Sequence, residues 1–388
     1  MAEKTNEKPR TILKTCQKNI KEAAARLKRY PNVVQMIQRV RSTKDTFGQN
    51  PKTIAEIIVP IPLTVTYNNE LFVWKDSGYM DPDRLIVFTT ESNIKLLCVY
   101  KSWFIDGTFD VAPLIYKQMF NISANIESTI LPMVYTLLPN KQESTYLKFF
   151  KMFEDVPLIQ PKEVTMDFEL ATLNALLKVL PYVVIFLCWF HYCQNLWKNM
   201  QQKQLAKDYV KDSLVRRLFK YLKYLPFVPP KDVIKAFKEI KTLSDTCRKF
   251  EPMLTYFENF YIGKLVRNQQ KIRKVPVYPI NRWNVVSRVK EGKARTNNTQ
   301  ESWHKIFAFD AQVHPTFNKL VENFRLEQKQ TDVIVAQIQS GDYTVARRKI
   351  QINKEEKLKE VVENYSFDKL FDYFDSLILI MDAPLKRF

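Results

Sequence analysis

The stretch from Trp103 to Phe109 constrains the fold of this chain more than any other, because it places a carboxylate at the end of an apolar segment. Its β-branched and aromatic residues predict a buried strand that ends at Asp106 and Gly107. A lone buried charge is costly unless it is paired or binds a metal ion. Asp106 therefore either caps a turn into Gly107 or belongs to a site to which other parts of the chain contribute.

From about residue 100, the hydrophobic pattern predicts three strands with short connections, followed by alternating helices and strands. The predicted strands are 102–109, 118–126, 131–138, 163–168 and 183–190, and the predicted helices are 142–154 and 170–180. The short connections suit an antiparallel meander. The order βββαβαβ then predicts an α/β layer fold with a mixed sheet. RNase H-like folds have this order of elements.

The flanking segments are predicted to be largely helical. Residues 1–95 form a basic N-terminal region: 1–50 contain 12 Lys and Arg against 4 Asp and Glu, at helical apolar spacing. Its second part is predicted to contain two strand-like pieces and a helix, at 63–67, 71–74 and towards the end of 83–97.

After a first core part at 96–195, residues 196–295 are predicted to be an all-helical insertion. From Lys198 to Arg295, it carries 24 Lys and Arg against 8 Asp and Glu. Residues 296–388 complete the chain with a core helix and C-terminal helices, which are predicted at 320–338, 345–365 and 367–379.

Composition narrows the class of function. The chain of 388 residues has 60 Lys and Arg against 41 Asp and Glu, and this net charge of +19 favours an anionic partner, nucleic acid before a membrane surface. With 6 glycines and neither a Walker pattern nor GxGxxG, a phosphate-cradling loop is not expected. Five irregularly spaced cysteines predict a reducing compartment. The sequence predicts no signal peptide and no membrane-spanning segment.

Three acids stand at positions that could converge. Asp106 ends the first predicted strand, Asp167 ends the fourth, and Glu301 lies on a helix that begins in an Asn/Thr cluster. If the first and fourth strands are neighbours, their ends bring the two aspartates together. Three carboxylates at one point repel each other unless divalent cations join them. Oxygen ligands suit Mg²⁺ or Mn²⁺, and two such ions about 3.5–4 Å apart serve phosphodiester attack.

Five short motifs occur in this order along the chain. They are FIDGTF at 104–109, LLPN at 137–140, DFE at 167–169, CWFH at 188–191 and NNTQESWH at 297–304. Together they resemble Mutator-like (MULE) transposases over roughly residues 55–325. The resemblance implies an RNase H-like core with a DDE triad formed by Asp106, Asp167 and Glu301. It also implies an all-helical insertion before the third acid.

The resemblance has further consequences. It implies double-stranded DNA as the partner, both transposon ends and target, together with a two-metal Mg²⁺ site, a nuclear location and a homo-oligomer as one possible assembly. Cys188-x-x-His191 matches a C-x-x-H motif of the family. Unlike many members, the sequence has no FLYWCH-type zinc finger before the core and no SWIM-type Cys/His cluster after it.

Several residues near these motifs have more than one interpretation. Asp110 and Glu169 could be ligands, although Glu169 is better placed as a first-turn helix acid. His191 either contacts the triad or the scissile phosphate, or is a satisfied core histidine. His304 lies one helical turn after Glu301 and could flank the site. A structural zinc site would need Cys188 and His191 together with Cys193 and His304 or His314.

Two functions compete. The first is a metal-dependent DDE transposase that cleaves and joins DNA, and the second is a domesticated DNA-binding protein that keeps the fold without catalysis. The intact set of three acids favours the first. A simple RNase H-like nuclease is a third interpretation, which the large basic insertion disfavours because hydrolysis alone does not need so large a binding surface.

Overall fold

The computed structural model describes residues 51–266, 269–295, 303–304, 306–308, 313–343 and 349–382. Its centre is one mixed sheet of seven strands. The strands are β1 (Val73–Asp76), β2 (Ile86–Phe88), β3 (Ser102–Thr108), β4 (Gln118–Ile126), β5 (Thr129–Leu138), β6 (Glu163–Met166) and β7 (Val184–Leu187). The predicted α/β class with a mixed sheet is confirmed.

The strands lie in the order β1-β2-β5-β4-β3-β6-β7. All neighbours from β1 to β3 are antiparallel, so the predicted meander is confirmed. β6 and β7 add to β3 in parallel, because a helix crosses over before each of them. The fourth predicted strand, β6, is therefore the neighbour of the first, β3, as the interpretation of the two aspartates requires.

Helices surround this sheet. In the first half they are α1 (Glu91–Val99), α2 (Glu143–Lys151), α3 (Leu170–Val179), α4 (Trp189–Gln202), α5 (Ala206–Lys211) and α6 (Ser213–Tyr224). In the second half they are α7 (Val233–Leu243), α8 (Glu251–Phe257), α9 (Ile280–Trp283), α10 (Val286–Lys290), α11 (Phe317–Ser340), α12 (Lys349–Glu363) and α13 (Leu370–Met381). Residues 303–304 and 306–308 are also helical.

The two faces of the sheet are covered by different helices. On one face, Trp103 and Ile105 of β3 pack into a core that includes the aromatic side chains of α2. On the other face, Tyr135 packs with Phe307 and Phe324. Since side chains alternate along a strand, Asp106 points to this second face, away from Ile105.

Two sequence predictions need correction. Strand β2 lies within the segment 83–97, before the helix that was predicted there. The pieces predicted as strands at 63–67 and 71–74 contain a 3₁₀ turn, an isolated bridge and the start of β1. The predicted all-helical insertion contains a two-stranded hairpin, β8 (Leu265–Val266) and β9 (Gln269–Arg273). It follows Gly263 with φ 87°, where an added Cβ would lie 1.9 Å from the carbonyl oxygen of Lys274.

The last two helices, α12 and α13, dock on the insertion, whereas α11 packs on the sheet. Arg217 of α6 pairs with Asp375 at 2.9 Å, and Lys223 pairs with Asp382 at 2.7 Å. Tyr373 donates its hydroxyl proton to the carbonyl of Phe227 at 2.6 Å. The predicted limits at 95 and 195 lie within α1 and α4, and the division into domains stays a prediction. Residues 1–50 lie outside the described residues.

The packing of α11 on the sheet can be tested at Phe324. Its fully buried ring stacks on Tyr135 at a centroid distance of 4.8 Å and on Phe307 at 5.7 Å. Phe324→Ala should therefore lower the free energy of unfolding by about 3–5 kcal/mol in urea titrations followed by tryptophan fluorescence. Leu326→Ala, at an exposed position of the same helix, should change it by less than about 0.5 kcal/mol. Equal losses would contradict this packing.

Candidate active site

The register of β3 and β6 places two carboxylates side by side. Ser102 pairs with Glu163 and Phe104 with Thr165, so two residues further along both strands Asp106 comes opposite Asp167. Both side chains line the same cavity, of about 530 Å³, at the carboxyl ends of these strands. The two aspartates are therefore neighbours across β3 and β6. Asp106 does not end its strand as predicted but lies within β3, two residues before Thr108, whereas Asp167 directly follows β6.

Asp106 is only 5% exposed and is held from two directions. Its Oδ1 accepts the backbone N–H of Gly107 at 2.9 Å, and its Oδ2 lies 3.2 Å from Nδ1 of His304. The other ring nitrogen, Nε2, lies 3.1 Å from Oδ1 of Asn121, the residue that pairs with Asp106 across β3 and β4. Asn121 donates its amide to Ser123 at 3.0 Å, which orients its oxygen towards His304.

Asp167 has a histidine partner of its own. β7 ends at Leu187 and α4 begins at Trp189, so His191 lies in the first turn of a helix that starts beside the end of β6. The Nδ1 atom of His191 forms an ion pair with Oδ1 of Asp167. Each aspartate is thus held by one histidine: Asp106 by His304 and Asp167 by His191.

The surroundings shift the pKa values of this second pair. Burial lowers the pKa of His191, but its hydrogen bonds with Asp167 and Cys188 outweigh burial and raise that pKa to about 11. Burial raises the pKa of Asp167; the bond with His191 opposes this rise and the charge of Asp106 adds to it. The imidazolium of His191 therefore offsets part of the repulsion between the two carboxylates.

Glu169 also lines the cavity, but its carboxylate is fully engaged. It pairs with Lys141 at 2.7 Å and accepts hydroxyl protons from Tyr146 at 2.8 Å and Thr172 at 2.9 Å. It directly precedes α3, without a side-chain bond to the helix N-terminus, so the interpretation as a first-turn acid is replaced by this network. Asp110 is exposed and does not line the cavity.

Glu301 lies outside the described residues, so its predicted position beside the two aspartates remains a prediction. Within the described residues, no group of three or more His, Cys, Asp and Glu side chains could hold a metal ion. Asp106 and Asp167 do fit Mg²⁺ or Mn²⁺ chemically, because they are oxygen donors side by side in an open cavity. The zinc interpretation gains no support: His304 contacts Asp106 and Asn121, and His314 contacts the carbonyl of Ala112.

Asn121 and Lys198 were not identified from the sequence as site residues. Asn121 is fully buried on β4, where its polar side chain interrupts an apolar strand. A polar residue within an apolar strand was the sequence feature that could have identified it. In a meander, β4 pairs with β3 and therefore carries the residue opposite Asp106. Lys198 belongs to the basic count of the insertion, and only the fold brings it to the cavity.

Many of the basic residues from 198 to 295 are paired with acids. Among those that the structure describes, nine form ion pairs: Arg217, Lys220, Lys223, Lys235, Lys241, Lys249, Arg273, Lys293 and Arg295. Some partners, such as Glu355 and Asp375, come from the C-terminal helices. Carboxylates therefore offset part of the positive charge of this segment in the folded chain. Less of that charge is available to an anionic partner than the sequence count of basic residues indicates.

The fold and the site define an α/β protein with two adjacent carboxylates in a cavity at the ends of parallel strands. Residues 102–195, which contain Asp106, Asp167 and His191, match the family model of the MULE transposase domain. Over these residues, which contain four of the five motifs, the match confirms the resemblance to Mutator-like element transposases. A comparison with curated proteins gives no significant match.

A MULE transposase domain indicates a transposase-related function and, in general, a DNA partner. In the part of the chain that the structure describes, no helix combines the length and apolar character that crossing a bilayer requires.

The contact between His304 and Asp106 can be tested by a double-mutant cycle. His304→Ala leaves a buried carboxylate without its partner and should lower the free energy of unfolding by about 3 kcal/mol in the presence of a chelator. In the Asp106→Asn background, the same change should cost much less, because no charge remains to be compensated. Urea titrations of the four proteins measure both values, and additive losses would refute the contact.

Proposed function

We propose that this chain is a DDE transposase that cleaves transposon ends and joins them to target DNA, with a divalent metal as cofactor. The observation that carries this proposal is the placement of Asp106 opposite Asp167 at the floor of one cavity. Two adjacent carboxylates, one buried and one half-buried, repel each other unless a cation lies between them, so such an arrangement favours a metal-binding role over a purely structural one.

The sheet supports an RNase H-like core. Across the sheet, the five strands β3 to β7 lie in the order β5-β4-β3-β6-β7. Of these strands, only β4 runs antiparallel to β3. This arrangement brings the first and fourth strands together with their ends at the same edge. The insertion and the C-terminal helices then follow β7.

Asp106, Asp167 and Glu301 are the proposed metal-binding residues. When bound, two divalent cations would supply activation of water or a 3′ hydroxyl and stabilisation of the leaving oxygen. His304 and Asn121 orient the Asp106 carboxylate, since both lie within hydrogen-bond distance in one chain of contacts. Glu301 precedes His304 by three residues in the sequence, a spacing that would put both on one face of a helix.

His191 is the fourth proposed catalytic residue. It holds Asp167 in place, and its raised pKa keeps the ring cationic at neutral pH. A cation that lines the cavity beside Asp167 can neutralise charge on the scissile phosphate. We propose that His191 contacts this phosphate during cleavage, and that the protein acts in the nucleus.

The competing function is a domesticated DNA-binding protein without catalysis. The two histidine–aspartate contacts are the observation that favours this second function, because a histidine can compensate each aspartate in place of a metal ion. The two proposals differ in one observable: a labelled duplex carrying the element's own termini is cleaved with Mg²⁺ or Mn²⁺ only by the transposase.

The triad is tested by single substitutions in this cleavage assay. Asp106→Asn, Asp167→Asn and Glu301→Gln should each reduce the cleavage rate by at least about a thousandfold, because each removes a charge that holds the cations. Their affinity for the duplex should stay the same or improve, since a negative charge near phosphate is lost.

The matched control is Asp110→Asn, an exposed acid four residues after Asp106 that does not line the cavity. It should retain the wild-type rate. Cleavage by Asp106→Asn at the wild-type rate would refute the DDE mechanism. A wild-type protein that binds the duplex but cleaves it with neither metal would favour the domesticated binder.

A further inference from the structure

Helix α4 has one face in the core and another in the cavity. Tyr192, Leu196 and Met200 are buried at four-residue steps. His191, Gln194, Asn195 and Lys198 follow the spacing i, i+3, i+4 and i+7 and all line the cavity. Residues at these spacings lie on one face of a helix. Side chains of His191, Gln194, Asn195 and Lys198 therefore form a polar row that begins beside Asp167.

The chemistry of this row suits an anion. Helix α4 contains no Asp or Glu, and its row offers two amides and one ammonium group as hydrogen-bond donors. Lys198 is exposed, and within the described residues it pairs with no carboxylate. Lys141, which also lines the cavity, differs: it pairs with Glu169 at 2.7 Å and lies over the Phe109 ring. Lys198 is therefore the lining lysine whose charge is not already offset.

We propose that Gln194, Asn195 and Lys198 bind the backbone phosphates of the DNA strand that is cleaved at Asp106 and Asp167. This inference rests on the proposed function and adds the path of the strand away from the reacting phosphate. From His191 to Lys198 the helix rises by about 10 Å. Lys198 therefore contacts a phosphate within a few nucleotides of the cleaved bond.

The contact is to phosphate and carries no sequence information. The row should therefore contribute equally to the binding of transposon ends and of unrelated duplexes. This property allows the inference to be tested without knowing the sequence that the protein recognises.

The first test uses the full chain and a fluorescein-labelled synthetic duplex of arbitrary sequence. Lys198→Gln should weaken binding about fivefold and reduce the slope of log affinity against log salt by about 0.9, because one phosphate contact is lost. The control is Lys95→Gln on α1, which removes the same charge from an exposed lysine paired with Glu91. It should leave the slope unchanged. An unchanged slope for Lys198→Gln, or an equal fall for both variants, would overturn the inference.

The second test separates the row from net charge. The double variant Gln194→Ala with Asn195→Ala keeps the charge but removes two donors. In the cleavage assay it should raise KM several-fold with little change in kcat, because the lost contacts hold the strand before and during the reaction alike. An unchanged KM would count against the row.

The outcomes of the two tests distinguish this inference from the proposed function. If the wild-type protein cleaves nothing but Lys198→Gln still lowers the salt slope, the transposase proposal fails and the row remains a DNA-binding surface. If cleavage depends on Asp106 while all three substitutions in the row leave binding and KM unchanged, the transposase proposal stands and the row has no role in binding.

Discussion

The repulsion between two adjacent carboxylates, one buried and one half-buried, is the constraint on which the rest of this structure depends. The register of β3 and β6 fixes Asp106 opposite Asp167, and each carboxylate contacts a histidine from a different helical segment. His191 lies in the first turn of α4. This turn is close to Asp167 because α4 directly follows β7, which pairs with β6. His304 is carried by a helical segment whose neighbour Trp303 donates to Glu327 of α11. The sheet, α4 and α11 therefore all support one pair of acids.

Part of the positive charge of the insertion serves contacts within the protein. The basic segment after β7 uses many of its cations internally, through pairs with its own acids and with those of α12 and α13. The pairs with Glu355, Asp375 and Asp382 join α12 and α13 to the insertion, and the exposed pair of Arg217 with Asp375 contributes little stability by itself. Affinity for a polyanion then depends on the lysines that remain without a carboxylate partner. Among the residues that the structure describes, Lys198 is such a lysine and lines the cavity with both aspartates.

Much of this arrangement could be predicted from the sequence. The long apolar strands β3 to β5 and the order of the following elements have strong local patterns, and their order places Asp106 near Asp167. Strand β2 was missed because its three residues run directly into α1, whose N-cap Thr90 follows two residues later. The hairpin β8–β9 is too short for an alternating pattern. The contacts of His304 with Asp106 and Asn121 join residues 183 apart and more, and only tertiary packing could reveal them.

The central claim is that the two aspartates form a divalent-metal site. Anomalous diffraction from crystals grown with Mn²⁺ tests it most directly, because the ion is located without any assumption about activity. The account predicts an anomalous peak within coordination distance of carboxylate oxygens from both Asp106 and Asp167, with Glu301 as a further ligand, and its loss in Asp106→Asn crystals. Saturating Mn²⁺ that gives no peak at these residues, with His191 still paired to Asp167, would contradict the account.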